Sequence, residues 1–489
     1  MTGPTDAVTV GACVRSHAGS QGTRPAFLTV DGATSWSSYD DDADRVAGIL
    51  HAAGVGPGQR VAVVMADGPA VHATFVGAER VGAVVVGIGY RAGVREVGHL
   101  VEKTGSTVLV TREGGRDDLT AALARTPSLV LPADLGTAPA SPAASAALGP
   151  DDLFLLNSTS GTTGLPKCVM HTQRRWFAYH PWAVEAGALT ADDVIFSAIP
   201  TPFGFGLWTA HFTPAILGCP TVLTERFDAG SALDLIERYA VTVLACVSTQ
   251  FIMMLDEQRA RPRRLDSLRC MFTGGEAVPY ERAVEFEDVC GAVVLQFYGS
   301  NETGALSRTT LSDSRERRLR TSGRILPDMH VRVFDPDGAE VTGPVRRGVP
   351  GCRGPATCLG YDGDDEANAR LVTDDGWMLM GDVVEIDADG YLTVVGRTSD
   401  FIIRGGKNIS ALAVEAEVGT HPAVALVAAV AMPHDVFGEK VCAYVELRPG
   451  WESLSLDDLV EHLSARGVTR EWFPEQLVVV EALPRSSGG

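Results

Sequence analysis

The stretch Asp151-Asp-Leu-Phe-Leu-Leu-Asn-Ser-Thr-Ser-Gly-Thr-Thr-Gly-Leu-Pro-Lys-Cys-Val-Met-His171 determines how the rest of the chain is interpreted. Its apolar run Leu153–Leu156 has the length of one buried strand. The seven residues from Ser158 to Gly164 have small side chains or none, so their backbone N–H groups and hydroxyls can surround phosphate oxygens. Lys167 adds a positive charge that suits a polyphosphate. The stretch therefore predicts a phosphate-binding loop that follows a strand.

Two other interpretations of this loop compete with that prediction. A flexible Ser/Gly linker has a similar composition, but strong strand patterns lie on both sides. The phosphate loop of kinases and GTPases requires Gly-x-x-x-x-Gly-Lys-Ser/Thr, whereas Pro166 stands five residues after Gly161 and Cys168 follows Lys167. The stretch closely resembles the phosphate loop of the adenylate-forming superfamily, which includes acyl-CoA synthetases, peptide-synthetase adenylation domains and beetle luciferase.

Length and composition limit the classes of protein to which the chain can belong. With 489 residues it exceeds one ordinary core, and 45% hydrophobic with 21% charged residues is typical of a soluble globular protein. Asp and Glu outnumber Lys and Arg by 61 to 41, a net charge of −20, which disfavours nucleic acid and anionic membranes as partners. The nine scattered cysteines include no Cys-x-x-Cys pair, which indicates reduced thiols without zinc or disulfides. The sequence has neither a secretory signal pattern nor an apolar stretch long enough for a membrane span, so we expect a cytoplasmic protein.

Strand and helix patterns alternate from Arg60 to Phe297. Near-continuous apolar strands separated by helices, among them predicted helices at Pro69–Arg80 and Leu207–Leu217, imply parallel sheets covered on both faces. A segment rich in Ala, Pro and Ser at about 130–150 is a candidate linker. From about Ser322 the pattern changes to short strands with Asp-Gly turns, which predicts a small antiparallel barrel or meander.

The predicted fold class is therefore α/β. We expect a large N-terminal domain of two parallel-type sheets with helices plus a small β-barrel, followed by a small α+β C-terminal domain. The N-terminal domain is predicted to span residues 1–399, with its β-rich part at about 322–399, and the C-terminal domain to span residues 400–489.

A second cluster, Phe272-Thr-Gly-Gly-Glu276, follows another predicted strand. Gly274 and Gly275 leave room for a flat ring such as adenine to lie directly on the backbone. An ordinary strand-to-helix turn has the same pattern, so this segment alone does not separate the two interpretations.

A third cluster, Gln296-Phe-Tyr-Gly-Ser-Asn-Glu-Thr-Gly304, also stands at a strand end, where ligands of open α/β sheets collect. There Tyr298 can stack on adenine, Thr303 can bond a phosphate, and Glu302 can bind Mg²⁺ through oxygen. In isolation, such a segment is more often a solvated turn. It resembles the superfamily's Tyr-Gly-x-Thr-Glu motif, with Asn301 in place of the usual Thr.

The chain continues with Gly376-Trp-Met-Leu-Met-Gly-Asp382 and Gly390-Tyr-Leu-Thr-Val-Val-Gly-Arg-Thr-Ser-Asp400. The carboxylate of Asp382 suits the two hydroxyls of a ribose and Arg397 adds donors, although either residue alone would be an exposed turn residue. All these clusters occur in the order and at the spacing of the adenylate-forming superfamily over about residues 25–489. The resemblance implies ribose contacts for Asp382 and Arg397, a hinge for a mobile C-terminal domain at Asp400, and a loop beside the incoming pantetheine at Gly405, Gly406 and Lys407.

The resemblance also implies a two-step reaction. A carboxylate attacks the α-phosphate of Mg·ATP to give acyl-AMP and pyrophosphate, and a thiol then attacks the acyl carbonyl and releases AMP. Positioning and charge neutralisation carry most of the catalysis in such transfers. The catalytic residues predicted on this basis are Thr163, Lys167, Glu302 and Thr303, with Mg²⁺ on Glu302. The predicted ATP- and AMP-binding residues are Ser158, Thr159, Ser160, Gly161, Thr162, Gly164, Gly274, Gly275, Glu276, Tyr298, Gly299, Ser300, Asn301, Asp382 and Arg397.

The chain departs from the superfamily pattern at its C-terminal residues. The superfamily has Pro-Arg-x-x-x-Gly-Lys there, with the Lys bonding the carboxylate and the α-phosphate, whereas this chain reads Pro484-Arg-Ser-Ser-Gly-Gly489 and ends. We expect a truncated chain whose adenylation step is impaired, since one such contact is worth on the order of a hundredfold or more in rate. Natural loss of the lysine is the alternative.

A second departure concerns the acid-binding segment Pro200-Thr-Pro-Phe-Gly-Phe-Gly206. Many acyl-CoA synthetases have Pro-x-x-His-x-x-Gly here, so Phe203 takes the position of the His gate between carboxylate and thiol tunnel. No Asp stands nearby to pair an α-ammonium group, and an uncharged, fairly apolar acid therefore fits better than an amino acid. The aromatic residues of the following helix line either a pocket or a plain core. The predicted pocket residues are Phe203, Phe205, Gly206, Trp208, Ser248 and Thr273.

The leading hypothesis is a ligase that joins a hydrophobic carboxylic acid to coenzyme A, using ATP and Mg²⁺. The alternatives are a stand-alone ligase that loads an acyl carrier protein and an acyl-adenylate-binding protein of low activity. The motifs fix neither the identity of the acid nor the oligomeric state, for which a homodimer is one option.

Overall fold

The computed structural model of the chain describes residues 8–123, 126–137, 147–158, 166–275, 278–398, 400–404, 407–434 and 438–484. Its strands form four sheets. The strands are β1 Pro25–Thr29, β2 Gly32–Ser35, β3 Arg60–Val63, β4 Val84–Gly87, β5 Val108–Arg112, β6 Ser128–Leu131, β7 Leu153–Ser158, β8 Cys168–Thr172, β9 Ile195–Ser197, β10 Thr221–Val222, β11 Val243–Ala245, β12 Cys270–Gly274, β13 Val293–Ser300, β14 Gly304–Arg308, β15 Arg324–Ile325, β16 His330–Phe334, β17 Arg346–Arg353, β18 Met378–Leu379, β19 Asp382–Ile386, β20 Leu392–Arg397, β21 Phe401–Arg404, β22 Lys407–Ser410, β23 Val424–His434, β24 Gly438–Leu447 and β25 Gln476–Val479.

The helices begin and end where the sequence supplies caps and breaks the apolar pattern. α3 begins with Pro69, which needs no backbone hydrogen bond there, and α14 begins after Ser410, whose hydroxyl accepts from the Ala413 N–H at 3.2 Å. The helices are α1 Val10–Gln21, α2 Trp36–Ala52, α3 Pro69–Arg80, α4 Val94–Thr104, α5 Asp117–Ala122, α6 Gln173–Gly187, α7 Gly204–Gly206, α8 Thr213–Leu217, α9 Ala229–Tyr239, α10 Ser248–Ala260, α11 Tyr280–Cys290, α12 Arg315–Arg320, α13 Asp365–Leu371, α14 Ala411–Val418 and α15 Leu456–Ala465, with a π-helix at Leu207–Phe212 and 3₁₀ turns at Leu135–Thr137 and Arg470–Trp472.

The two large sheets are mostly parallel, as the sequence pattern of apolar runs separated by helices predicted. The six-stranded sheet has the order β6-β5-β3-β4-β7-β8, and only β8 at its edge runs antiparallel to its neighbour. The nine-stranded sheet has the order β15-β14-β13-β12-β11-β9-β10-β1-β2, with parallel pairs from β13 to β1 and antiparallel strands at both edges. One hydrophobic core is shared by both sheets and contains Val61 and Val63 of the first and Phe272 of the second.

The remaining strands form two smaller sheets. β16, β17, β19 and β20 lie side by side in that order, with β18 paired to β17, and all these pairs are antiparallel. The C-terminal sheet has the order β22-β21-β24-β23, with β25 parallel to β24, and α14 and α15 contribute to its own core. The fold class is thus confirmed as mixed α/β, with a large N-terminal part of several sheets and a small C-terminal part.

The helix predicted over Leu207–Leu217 is wrong as one continuous α-helix. The structure has α7, the π-helix and α8 in succession over this region. Pro214 has no N–H to donate to the carbonyl four residues earlier, so the regular α-helical hydrogen-bond ladder cannot continue through it. Wide π-type turns of this kind often occur at functional sites.

None of the helices within the described ranges combines the length and the apolar character needed to cross a membrane.

Candidate active site

The carboxyl ends of strands from both large sheets meet at one place. β12 and β13 are parallel neighbours, and β13 leads into the turn Ser300–Thr303, which we call the Glu302 turn. From β7 of the other sheet, the amide nitrogen of Asn157 donates to the Pro202 carbonyl at 3.2 Å and to Oδ1 of Asn301 at 3.4 Å. Ligands of α/β sheets bind outside the carboxyl ends of strands, so this junction is the candidate site.

The predicted phosphate loop lies mostly outside the described residues. Ser158, the last residue of β7, is buried, and Lys167 is described just before β8 begins. Thr159, Ser160, Gly161, Thr162, Thr163 and Gly164 fall outside the described ranges, as do Glu276, Gly405 and Gly406. Their expected contacts with phosphate, adenine and pantetheine therefore stay predictions.

Tyr298, Asp382 and Arg397 come together in what we call the ribose-end cluster, after its predicted role. The Tyr298 hydroxyl donates to Oδ2 of Asp382 at 2.7 Å, and Nε of Arg397 lies 3.3 Å from Oδ1. Asp382 and Arg397 face each other across β19 and β20, so strand pairing fixes their spacing. Burial and the neighbouring Asp382 carboxylate raise the pKa of Tyr298, so its hydroxyl stays protonated and can donate the hydrogen bond to Asp382. The Arg397 side chain is 56% exposed, so the cluster is open on one side.

Tyr361 and Lys167 meet Glu302 at the Glu302 turn and form a second cluster there. The Tyr361 hydroxyl donates to Oε1 of Glu302 at 2.8 Å, and Nζ of Lys167 lies 4.8 Å from the centre of the Tyr361 ring. Burial, then the Glu302 charge, raises the pKa of Tyr361 and keeps it a donor. A carboxylate of this kind fits Mg²⁺, which usually takes one or two carboxylates together with substrate phosphates.

Tyr361 was not among the predicted site residues. It reaches Glu302 because the segment around it pairs with β8: Val169 bridges to Tyr361, and the Met170 N–H donates to the Gly360 carbonyl at 2.9 Å. Locally the sequence offers only a tyrosine after a glycine, which carries no functional signal of its own. Only the long-range pairing reveals it.

Thr303 is not exposed for the phosphate contact predicted for it. Its side chain is completely buried, and its hydroxyl accepts from the Ser300 N–H at 3.1 Å and donates to the Gly304 carbonyl at 2.9 Å. Sδ of Met380 lies 3.8 Å from the same hydroxyl. Thr303 therefore braces the Glu302 turn against the segment that leads to Asp382.

The predicted acid-binding segment, Pro200–Gly206, is called the gate segment below. Phe205 stacks on Trp208, with 5.4 Å between ring centres and 15° between planes, and Trp208 makes edge contacts with Phe272 at 5.2 Å and Phe297 at 4.7 Å. We call these four residues the aromatic cluster. Nε1 of Trp208 is buried and has no hydrogen-bond acceptor among the described residues. Phe203, beside this cluster, is half-buried.

The other predicted pocket residues are not all brought to the aromatic cluster. Thr273 follows Phe272 on β12, and successive strand residues point to opposite faces of a sheet. Thr273 thus faces the side covered by α10, where Ser248 is buried at the start of the helix. The predicted pocket divides into Phe203, Phe205, Gly206 and Trp208 on one face and Ser248 and Thr273 on the other.

Gly274 has a packing role that the adenine interpretation did not include. A Cβ at this position would lie 2.4 Å from the Phe297 carbonyl oxygen, so only glycine lets β12 approach β13 this closely. Gly275 has a φ of +85° and open space where a side chain would stand. Only Gly275 therefore leaves room for a flat ring.

The buried carboxyl group of Asp67 forms a hydrogen bond with the gate segment. The Thr201 hydroxyl donates to Oδ1 of Asp67, whose side chain is 9% exposed. Burial raises the pKa of Asp67 from 3.8 to about 7, against the opposing effect of the hydrogen bonds from Thr201 and Gly68. His72, kept neutral because burial and the nearby His211 lower its pKa, gives Asp67 no compensating charge. Sequence patterns gave no signal for this group.

Asp400 lies between β20 and β21, which belong to different sheets, and its N–H donates to the Arg397 carbonyl at 3.1 Å. A residue at such a connection suits a hinge, and that role stays a prediction, as does the pantetheine contact of Lys407, the first residue of β22.

Two family models match the chain. The model described as AMP-binding enzyme matches residues 14–362, and the model described as AMP-binding enzyme C-terminal domain matches residues 413–489.

Curated relatives and solved structures are similar to the chain over different lengths. A medium-chain fatty-acid–CoA ligase of Escherichia coli is 32% identical over 69% of this chain and 60% of its own length, so this match spans less than two thirds of that relative. An indoleacetate–CoA ligase of Aromatoleum aromaticum is 30% identical over 97% of this chain and 94% of its own. A salicyl-AMP ligase / salicyl-S-ArCP synthetase of Mycobacterium tuberculosis is 32% identical over 96% of this chain and 85% of its own. The crystal structure of ATP-bound MatB from Rhodopseudomonas palustris superposes with a TM-score of 0.87, at 25% identity over 98% of this chain and 96% of its own.

Proposed function

The chain belongs to the AMP-binding enzyme family, and from this premise we propose that it activates a hydrophobic carboxylic acid as acyl-AMP and passes the acyl group to coenzyme A. The observation that carries the proposal is the position of two clusters on one strand and turn: Tyr298 with Asp382 and Arg397, and Glu302 with Tyr361 and Lys167. One cluster suits a ribose and the other suits phosphates with a metal ion, so a single nucleotide can bridge them.

In the first step, a carboxylate oxygen of the acid forms a bond to the α-phosphorus while the bond to the pyrophosphate oxygen breaks. Asp382 accepts hydrogen bonds from the ribose hydroxyls, and Tyr298 and Arg397 keep that carboxylate in place. Lys167 lies where it can neutralise phosphate charge near Glu302. Glu302 would hold Mg²⁺ together with the phosphates, and the bound ion would offset the charge that develops on the leaving pyrophosphate.

In the second step, a thiolate sulfur attacks the acyl carbonyl, and the bond to the AMP oxygen breaks. Nothing in this step requires covalent chemistry from a side chain of the protein; the chain holds acyl-AMP and admits the thiol. The Asp400 connection between β20 and β21 is where the C-terminal sheet would turn to bring Gly405, Gly406 and Lys407 to the thiol.

The aromatic cluster supports an apolar acid that carries a ring as substrate. Phe205 and Trp208 offer stacked rings and no charged group, and a buried ionic substituent would lack a partner there. The buried Trp208 N–H has no acceptor among the described residues, so an acid with an acceptor atom on its ring or chain can satisfy it. A panel of indole, phenyl and fatty acids, each with and without such an acceptor, addresses both points.

Carrier-protein loading is the second candidate, because one relative of similar length is a salicyl-AMP ligase / salicyl-S-ArCP synthetase. Acid-dependent exchange of labelled pyrophosphate into ATP reads the first step. Incubation of synthetic acyl-AMP with free CoA reads the second step independently of the first. We expect an apolar acid to support exchange and CoA to release AMP; AMP release only with a carrier protein would favour the second candidate. If every acid tested fails to support both pyrophosphate exchange and nucleotide binding, both candidate functions are refuted.

A further inference from the structure

Three buried polar residues and one half-buried asparagine lie beneath the gate segment and the Glu302 turn. Asn157 is 1% exposed, His171 is fully buried, and Arg175 is 3% exposed; Asn301 completes the group at the turn. They come from the end of β7, from β8, from α6 and from the turn after β13. We call them the Arg175 network.

The hydrogen bonds of the network form a chain in which each donor is followed by the next, from Arg175 through His171 to Asn157. Nη1 of Arg175 donates to Nδ1 of His171 at 2.7 Å. Burial, then the neighbouring guanidinium, lowers the pKa of His171 well below its ordinary value, so the imidazole is neutral and its single proton is on Nε2. That Nε2 donates to Oδ1 of Asn157 at 2.7 Å. The Asn157 amide nitrogen must then point at the Pro202 carbonyl and at Oδ1 of Asn301.

Arg175 closes the network onto Asn301 from the other side. Its Nη1 and Nη2 both donate to the Asn301 carbonyl, each at 2.9 Å. Burial lowers the pKa of Arg175 to about 10, and the side chain still carries its charge at neutral pH. Within the described ranges it forms no salt bridge, and its partners there are an imidazole and a carbonyl, with the Trp176 ring 5.3 Å away. A buried cation with such partners is costly to fold, so a structural role alone explains it poorly.

The gate segment rests directly on this network. The Asn157 amide holds the Pro202 carbonyl, and a Cβ at Gly204 would lie 2.9 Å from Oδ1 of Asn301 and 3.4 Å from the Trp176 ring. Asn301 and the gate segment are therefore in close contact, and a shift of Asn301 toward the segment would displace it. Glu302, next in the chain, moves with the same turn.

We propose that Arg175 is a positioning residue that fixes the gate segment and the Glu302 turn in one mutual arrangement, through His171, Asn157 and Asn301. The proposal rests on the proposed function for its consequence: the acid and the phosphates are seated correctly relative to each other only when both segments are held together. No hydrogen bond or ion pair of the described residues joins Tyr298, Asp382 or Arg397 of the ribose-end cluster to a member of the network, so we expect this cluster to respond less to a change at Arg175.

The first test uses hydrogen–deuterium exchange of the ligand-free, full-length chain, so that it does not depend on activity. We expect Arg175→Met to increase amide exchange by about tenfold or more in both residues 200–206 and 300–304, because loss of charged hydrogen bonds opens both segments. Arg175→Lys keeps the charge but not the planar fork and should restore part of the protection. Arg318→Met is the control for loss of a buried arginine: Arg318 is 7% exposed, forms an ion pair with Glu287 and donates to the Val294 carbonyl at 3.0 Å, on β13 before the Glu302 turn. Faster exchange in only one segment, in neither, or evenly over the whole chain would overturn the proposal.

The second test compares the binding of AMP with that of a non-hydrolysable acyl-adenylate mimic. We expect Arg175→Met to weaken binding of the mimic by about tenfold or more relative to binding of AMP, whereas Arg318→Met changes the ratio of the two affinities by less than about twofold.

If Arg175→Met does not fold, Gly204→Ala disturbs the same contact from the gate side. Gly204→Ala is expected to give the same selective loss and to be non-additive with Arg175→Lys. An equal loss for both ligands, or additive effects, contradicts the proposal. Failure of the unmodified chain to bind either ligand refutes the proposed function instead, while the exchange experiment still decides the role of Arg175.

Discussion

The two ends of the candidate site are built in opposite ways. At the ribose end, Tyr298, Asp382 and Arg397 present polar atoms from paired strands, and the Arg397 side chain is 56% exposed. At the acid end, Phe205 and Trp208 stack within a cluster that continues into the hydrophobic core, and Trp208 is 4% exposed. The polar end can therefore be altered with little effect on folding, whereas stability and substrate fit are coupled at the acid end.

The largest effect is expected at the acid end, for Trp208→Ala. Removing a buried aromatic side chain should lower the free energy of unfolding by about 3–5 kcal/mol and change the order of preferred acids in the exchange assay. Trp377→Ala is the matched control, since Trp377 is 6% exposed and packs between Arg332 and Arg353 in the antiparallel sheet. It should cost similar stability in urea unfolding without changing the preference. If both variants change the preference alike, the aromatic cluster is core only.

A second effect at the acid end concerns pH and Asp67. Its pKa is about 7 in the folded chain and 3.8 in the unfolded chain, so between these values only the folded chain keeps the proton. Stability is therefore lost as pH rises through this window, and Asp67→Asn should remove about 2–3 kcal/mol of that loss between pH 5 and pH 8. Urea unfolding at several pH values measures it.

The control for Asp67 is Asp375→Asn. The Thr373 hydroxyl lowers the pKa of Asp375, so this exposed group is ionised across the whole range and its substitution should leave the slope unchanged. A flat stability profile in the unmodified chain would show that Asp67 is ionised in the folded protein.

At the ribose end, Asp382→Asn should weaken AMP binding by about ten- to a hundredfold, because hydrogen bonds to a charged acceptor are worth about 1.5–3 kcal/mol. The unfolding midpoint should move little, since the asparagine amide oxygen can still accept the Tyr298 hydrogen bond and the Arg397 side chain is 56% exposed. Asp389→Asn, at the other end of the same hairpin, removes a surface pair with Arg317 and should leave AMP binding unchanged. Calorimetric titration measures AMP binding by the two variants, and thermal unfolding measures their midpoints. A large loss of stability in Asp382→Asn would contradict the proposed difference between the two ends.

The smallest effect is expected for Tyr298→Phe. It removes the hydrogen bond to Asp382 but keeps the ring, so AMP binding should weaken by roughly three- to tenfold, about 1 kcal/mol. Tyr391→Phe removes a comparable hydrogen bond to Asp313 outside the site and should not affect AMP. A hundredfold loss for Tyr298→Phe would mean that the hydroxyl contacts the nucleotide itself.

The features that could be predicted from the sequence are those with local signals. The family resemblance and the fold class are confirmed, and α3 has the predicted bounds, because caps and apolar periodicity are local signals. The resemblance gave Asp382 and Arg397 a shared role, and the structure places them opposite each other on β19 and β20; their contact with a ribose stays a prediction.

Other features could not be read from the sequence. The first two helices and strands, from Val10 to Ala52, were not predicted, since β1 gains its place only by pairing with β10 far along the chain. Tyr361 and Arg175 act through long-range contacts, and a buried arginine on an amphipathic helix resembles a surface one in sequence. Thr273 was predicted to share a pocket with Trp208, but successive residues of β12 point to opposite faces of the sheet, and Trp208 packs on the face to which Phe272 points.

The central claim is that one molecule, an acyl-adenylate, spans both ends of the site. The most direct measurement is a crystal structure of the chain with a non-hydrolysable acyl-adenylate mimic. We predict ribose hydroxyl oxygens within about 3 Å of the Asp382 carboxylate and the acyl group packed against Phe205 and Trp208. Adenosine bound away from Asp382, or an acyl group that leaves the aromatic cluster untouched, would contradict the account.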